Sequence, residues 1–399
     1  MTDLTQRRKE LLSPSYRLFY DRPVQPVKGE GAWLYEADGT RLLDAYNNVV
    51  PAGHCHPRVV AAIAAQSAQL NTHTRYLHEG ILDYAGALLA TFPAELSRAT
   101  FTCSGSEAND LAIRIARFVT GGTGIIVTEN AYHGVTGLTA EISPSLGDAV
   151  PLGAHVRTVP APRAGVDFGG AVAGAIADLV RHGMKPALLV VDTVFSSDGV
   201  FTHPAGGLAP AVAAIKAAGG LFLADEVQPG FGRLGEAMWG FMRHGVVPDL
   251  VSMGKPMGNG YPVAGLVARP DIIAVFGEKI RYFNTFGGNP VAMAAASATL
   301  AVIKEEGLQA NAKLVGGQLK AALAERACVG AVRGAGLFIG AELEDGAKAS
   351  RVVNRMRELG VLISTAGLAG NVLKIRPPLV FSEAQAGILL AAFDAAVQE

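Results

Sequence analysis

Three uninterrupted apolar runs constrain this chain more than any other feature. They are Gly124-Ile125-Ile126-Val127-Thr128, Pro186-Ala187-Leu188-Leu189-Val190-Val191-Asp192 and Leu221-Phe222-Leu223-Ala224-Asp225. None alternates polar with apolar residues, as a strand with one wet face would, so each is expected to be buried on both faces. Helical patterns accompany them, at Glu107 to Phe118 and at 208–218. Further strands are expected at Ala99 to Cys103 and Asp249 to Met253. Strand–helix alternation of this kind predicts an α/β fold with a mostly parallel sheet covered on both sides. Ligands of such sheets sit at the carboxyl ends of the strands, which is where Ser104, Asp225 and Lys255 fall.

The flanks read differently. Residues 1–30 suggest a short helix and an irregular arm, and Trp33 to Asp44 a β-hairpin with Asp38-Gly39 supplying positive φ angles at its turn. Helices follow near 58–70 and 79–91, and one near 290–305 closes the large unit. Beyond it, helices at 307–326, 347–359 and 383–397 accompany strands at 329–334, 337–344 and 371–376. The pattern implies a large domain of residues 51–299 and an α+β small domain made of 1–50 and 300–399.

Composition removes several function classes. With 399 residues, 17% of them charged, and a net charge of −1, the chain is neither disordered nor a basic nucleic-acid binder. Three widely spaced cysteines, Cys55, Cys103 and Cys328, argue against a disulfide framework and for a reducing compartment. The polar, charged start from Met1 to Glu10 does not read as a signal peptide. No apolar run approaches the roughly 20 residues a bilayer span needs. A soluble, cytoplasmic protein without a membrane partner is expected. His54-Cys55-His56 has no second cluster at metal-binding spacing, so no metal is expected. The glycines of Gly334 to Gly340 run into a strand, not a helix, and read as a strand bend, not a dinucleotide fingerprint.

The chemistry concentrates between Leu221 and Lys255. An apolar run ends in Asp225-Glu226, and a second delivers Gly254-Lys255-Pro256. A magnesium-holding acid would need a G-x-x-x-x-G-K-[ST] phosphate loop, and Gly254-Lys255 lacks both its upstream glycine and its hydroxyl residue. A structural salt bridge is one remaining reading. The other is a pyridoxal phosphate (PLP) site, with Lys255 as the Schiff-base amine and Asp225 keeping the pyridine nitrogen protonated. Desolvation in a crevice lowers such a lysine's pKa toward that of a working base. Ser104-Gly105-Ser106-Glu107-Ala108-Asn109 joins a strand to a helix, either as a plain N-cap or as a cradle for a phosphate. Tyr132 after the next strand is either a core tyrosine or a platform for a flat ring. Thr285, at another small-residue helix entry, can supply a hydroxyl to a phosphate.

In order along the chain, Gly53-His54-Cys55-His56-Pro57, Ser104 to Ala108, Tyr132-His133-Gly134, Asp225-Glu226-Val227-Gln228, Gly254-Lys255-Pro256 and Thr285-Phe286-Gly287-Gly288-Asn289-Pro290 resemble the class III aminotransferases, PLP enzymes of fold type I. The resemblance runs from Trp33 to Pro378. It implies Lys255 and Asp225 as the catalytic pair, Tyr132 and Val227 on the two faces of the ring, and Gln228 near the 3-hydroxyl. It further implies Ser104, Gly105 and Ser106 on the phosphate, with Thr285 reaching the phosphate of a neighbouring subunit, which makes the active unit a homodimer. The implied reaction moves an amino group between an amine or amino acid and a keto acid or aldehyde. Two departures matter. The family's R-I-A-P-P-L segment is Lys374-Ile375-Arg376-Pro377-Pro378-Leu379 here, and its usual glutamate is shortened to Asp192. With Arg75 in Asn71 to His78, these features resemble the branch that holds phospho-lyases of ethanolamine phosphate and phosphohydroxylysine. Elimination of phosphate is thus the alternative to amino transfer, with Arg75, Lys374 and Arg376 as candidate substrate cations.

Overall fold

The structure, a computed structural model, describes residues 4–202 and 204–398. The apolar runs form the middle of a seven-stranded sheet. Its order is Arg98–Thr102, Ala264–Ala268, Leu250–Met253, Leu221–Asp225, Pro186–Asp192, Gly124–Thr128 and Val156–Val159. Five neighbouring strands are parallel, while Ala264–Ala268 runs antiparallel to both of its neighbours. Gly124–Thr128 is buried along its whole length, as two-sided coverage requires. Two members escape an apolar-run criterion. Val156–Val159 is a short edge strand carrying Arg157 and Thr158, and Ala264–Ala268 is rich in alanine and glycine, which have weak strand preference.

The N-terminal hairpin forms, but its turn is longer than two residues. The Glu36 amide donates to the Thr40 carbonyl at 2.9 Å, and only Gly39 takes positive φ, at +87°. Asp38 instead accepts the Thr40 amide on its side chain at 2.9 Å. The arm upstream contributes a strand of its own, Pro26–Glu30, paired with Trp33–Glu36. Arg41–Asp44 then pairs in parallel with Val361–Leu362, while Ser364–Ala366 joins the antiparallel sheet of Ala331–Ala335, Phe338–Glu342 and Val372–Ile375. One short segment therefore stitches the start of the chain to its last hundred residues.

A buried ion pair reinforces that seam. Arg357 and Glu36 are 2% and 8% exposed, and the guanidinium Nη2 lies 3.1 Å from Glu36 Oε2. The Arg357 Nε also donates to the Arg22 carbonyl at 3.0 Å. Removing one partner of such a pair strands a buried charge. Glu36→Ala is expected to cost about 3 kcal/mol in stability and to lower the thermal unfolding midpoint. The exposed Lys28–Glu30 pair serves as the control, and Glu30→Ala is expected to leave the midpoint where it is.

Candidate active site

Parallel neighbours bring the chemical groups to one edge. Asp225 pairs in register with Ser252, so Lys255 emerges just beyond the end of the adjacent strand. Ser104, Gly105, Ser106, Tyr132, Asp225, Val227, Gln228 and Lys255 together line one cavity of about 290 Å³. Tyr132 is part of that wall and 37% exposed, which removes the core-tyrosine reading.

Alternation along the strand separates the two acids. Asp225 faces the cavity, whereas Glu226 turns into the protein and accepts the Gly240 and Phe241 amides, each at 2.8 Å, and the Thr193 hydroxyl at 2.9 Å. Burial pushes the Glu226 carboxyl up to about 7. Burial alone would raise Asp225 too. The hydrogen bond and charge of His133, the Val227 amide and the Asn109 side chain outweigh it and hold Asp225 below its usual value. His133 Nδ1 lies 2.8 Å from Asp225 Oδ2, and Asn109 Nδ2 donates to the same oxygen at 2.9 Å. Sequence reasoning passed over both partners. The available signal was Asn109 itself, a polar residue among the buried alanines and leucines of the helix Gly105–Thr120.

At the other end of the cavity that helix begins. Ser104 is its N-cap, accepting the Glu107 amide at 3.2 Å and donating to the Glu107 carboxylate at 3.0 Å. Its hydroxyl is thus committed to capping, and the groups left to meet an anion are the first-turn amides and the Ser106 side chain. Gly105 is required by space: a Cβ there would come within 2.8 Å of Val227 Cγ2. The cap reading and the phosphate reading of this turn are compatible.

Burial lowers the Lys255 ammonium pKa. Asp225 opposes that shift and Arg376 adds to it. Arg376 itself is 6% exposed and donates from Nη1 to Gln228 Oε1. Its Nε has no hydrogen-bond partner, and no carboxylate pairs with it among the described residues. Burial, and next the charge of Arg376, push Lys374 down to about 7. Four of the expected residues are not part of the cavity wall: Lys374 and Arg376, which lies behind Gln228, and also Arg75 and Thr285. Arg75 is exposed with its guanidinium 3.8 Å over the Phe283 ring, and Thr285 is exposed on the loop ahead of the helix Pro290–Glu305. His54 and His56 turn to Asp44 and Glu306, at 2.7 and 3.2 Å, not toward each other.

Residues 19–397 match the family Aminotransferase class-III. The chain belongs to the class-III aminotransferases. It is 39% identical to an alanine–glyoxylate aminotransferase 2-like protein of Drosophila melanogaster over 425 residues, covering 98% of this chain and 86% of that protein. It is 33% identical to an ethanolamine-phosphate phospho-lyase homolog 1 of Caenorhabditis elegans, covering 96% and 90% of the two chains. Among solved structures, a phospholyase from Arthrobacter in complex with phosphoethanolamine superposes with a TM-score of 0.96 at 42% identity, over 100% of both chains.

Class-III aminotransferases depend on PLP, and the residues here fit it. When bound, PLP supplies an electron sink for the bond broken at the substrate Cα. The helix start at Gly105 and Ser106 would hold its phosphate, Asp225 would face its ring nitrogen, and Tyr132 and Val227 would take its two faces. Lys255, desolvated in the same cavity, would bind the cofactor's aldehyde carbon and carry the Cα proton.

Proposed function

We propose that this class-III enzyme accepts a short primary amine bearing phosphate on Cβ, of the phosphoethanolamine type, and expels that phosphate. This adds to the amino transfer its family performs between an amine or amino acid and a keto acid or aldehyde. One observation carries the reading. Arg376 is buried against Gln228, just behind the cavity wall, and the partly buried Lys374 stands two positions before it, with an idle Nε–H on Arg376 and no carboxylate pairing with either among the described residues. A buried cation without a counter-ion is costly unless a ligand anion completes it. The likeness to the Arthrobacter phospholyase supports the same substrate class.

In this reading Lys255 removes the Cα proton, the Cβ–O bond breaks, and Lys374 and Arg376 bind the phosphate as it gains charge. With one water consumed, phosphoethanolamine yields acetaldehyde, ammonia and inorganic phosphate. The test is incubation of the loaded enzyme with phosphoethanolamine in the absence of any amino acceptor. Release of phosphate and acetaldehyde is expected. No phosphate release there, with amino transfer appearing once pyruvate is added, would overturn the proposal.

Lys374 gives the reaction a pH signature. A lysine brought down to about 7 is a cation below that pH and neutral above it. The KM for phosphoethanolamine is therefore expected to rise as pH climbs through this range. Lys374→Arg, which stays charged, is expected to flatten the profile.

The quaternary and cellular parts of the reading rest on surface features. Tyr76, Leu77 and Phe286 are 65%, 101% and 68% exposed, and Thr285 lies outside its own cavity wall. A homodimer that buries these apolar side chains and brings Thr285 to the partner's cofactor phosphate accounts for both facts. Thr285→Ala is then expected to weaken cofactor retention. The free thiols of Cys55, Cys103 and Cys328 support a cytoplasmic setting.

A further inference from the structure

Gln228 sits in a hydrogen-bond chain whose direction is completely determined. Arginine only donates, so Arg376 Nη1 must face the oxygen of the Gln228 amide. This sets the amide flip, and Gln228 Nε2 then donates to Ser196 Oγ at 2.6 Å. Ser196 has one hydroxyl proton, and it goes to Asp192 Oδ2. Asp192 is an acceptor along its other bonds too, taking the Val194 amide and the Ser196 amide, each at 3.1 Å. The chain therefore runs one way, from the buried cation Arg376 through Gln228 and Ser196 to the carboxylate of Asp192, which is itself on the cavity wall. Ser196 is fully buried, at 0% exposure.

The Gln228 nitrogen carries a second hydrogen that this chain does not use. Gln228 lines the cavity together with Asp225 and Lys255. We infer that Ser196 is a positioning residue: with Arg376 it locks the Gln228 amide so that an N–H, never the carbonyl, faces the bound cofactor's 3-oxygen. The inference rests on the placement of Gln228 and Lys255 beside the cofactor adopted above. A fixed donor stabilises the anionic form of that oxygen, which matters for the acidity of the group Lys255 makes with the cofactor. The same lock ties Arg376, the proposed anion reader, to the electronic state of the cofactor. Without Ser196 the amide loses its nitrogen-side anchor and is free to turn its nitrogen away.

The measurement is the pH titration of the visible absorption band of the loaded enzyme without substrate, in wild type, Ser196→Ala and Ser196→Thr. Ser196→Ala is expected to raise the titration midpoint by about one pH unit, the scale of one lost hydrogen bond. Ser196→Thr, which keeps the hydroxyl, is expected to restore the wild-type midpoint. Gln228→Glu provides a second route, because it keeps an acceptor for Arg376 but has no N–H for the cofactor; its midpoint is expected to rise as well. An unchanged midpoint in Ser196→Ala would overturn the inference, as would a Ser196→Thr midpoint equal to that of the alanine variant, and an unchanged Gln228→Glu midpoint would remove the Gln228 N–H from the cofactor. If Ser196→Ala does not fold, Ser196→Cys, of similar size but a much weaker acceptor, takes its place with the same expected rise. Because no substrate is present, the outcome is independent of whether phosphoethanolamine is cleaved, which the phosphate-release assay reports separately.

Discussion

Lys255→Ala is expected to lower turnover of every substrate by about 10⁴-fold or more and to remove the visible absorption band of the loaded protein. Two roles meet in this one amine. It is the only lysine on the wall of the cavity among the described residues, and its desolvated position favours the neutral, proton-accepting form. Water replacing the side chain supplies neither the covalent bond to the cofactor nor a base held at the Cα proton. The absorption spectrum and single-turnover kinetics of the purified variant check the two roles separately. A variant that kept the band and most of the turnover would remove Lys255 from the mechanism, and the assignment of Asp225 would go with it.

The second large effect is selective. Arg376→Met is expected to reduce kcat/KM for phosphoethanolamine by about 10²-fold, the loss of about 2–3 kcal/mol of charge-assisted hydrogen bonding to an anion. For an uncharged amine in a transamination assay the loss is expected to be far smaller. Stability should move the other way. In the free protein the guanidinium is buried, unpaired with any carboxylate among the described residues, and has an idle Nε–H, so its replacement by an apolar side chain removes a desolvation cost. A raised thermal midpoint together with lost activity on the phosphorylated substrate is the signature of a cation held for a ligand. Equal losses on both substrates would leave Arg376 only its support of the cofactor site through Gln228 and remove it as an anion reader.

Most of the frame was legible in the chain. Continuous apolar runs marked the central strands because two-sided burial leaves no polar position to break them, and the acid and the lysine were found by where those runs end. The limits of that legibility are equally physical. Val156–Val159 and Ala264–Ala268 belong to the same sheet, yet an edge strand holding Arg157 and an alanine–glycine strand carry no such mark. The strand at Pro26–Glu30, with a lysine, a glycine and a glutamate among five residues, is held by its pairing with Trp33–Glu36 and not by its own pattern. In the site, Ser104 carried two readings; the structure shows the cap, and the first-turn amides that a capped helix start leaves over are compatible with the phosphate reading.

The sequence by itself determined the α/β class, the order of the chemical groups and their place at strand ends, because periodicity and chain punctuation are local properties. Only the tertiary structure decided which of two adjacent acids faces the cavity, and which residues tune it. His133 and Asn109 reach Asp225 from 92 and 116 positions away, and Arg376 reaches Gln228 across 148. Such partners are chosen by strand order and by where the segment after Val372–Ile375 meets the end of Leu221–Asp225. Neither leaves a periodic trace in the chain, so the polarity of the Gln228 amide and the company kept by Arg376 had to be read from the folded protein.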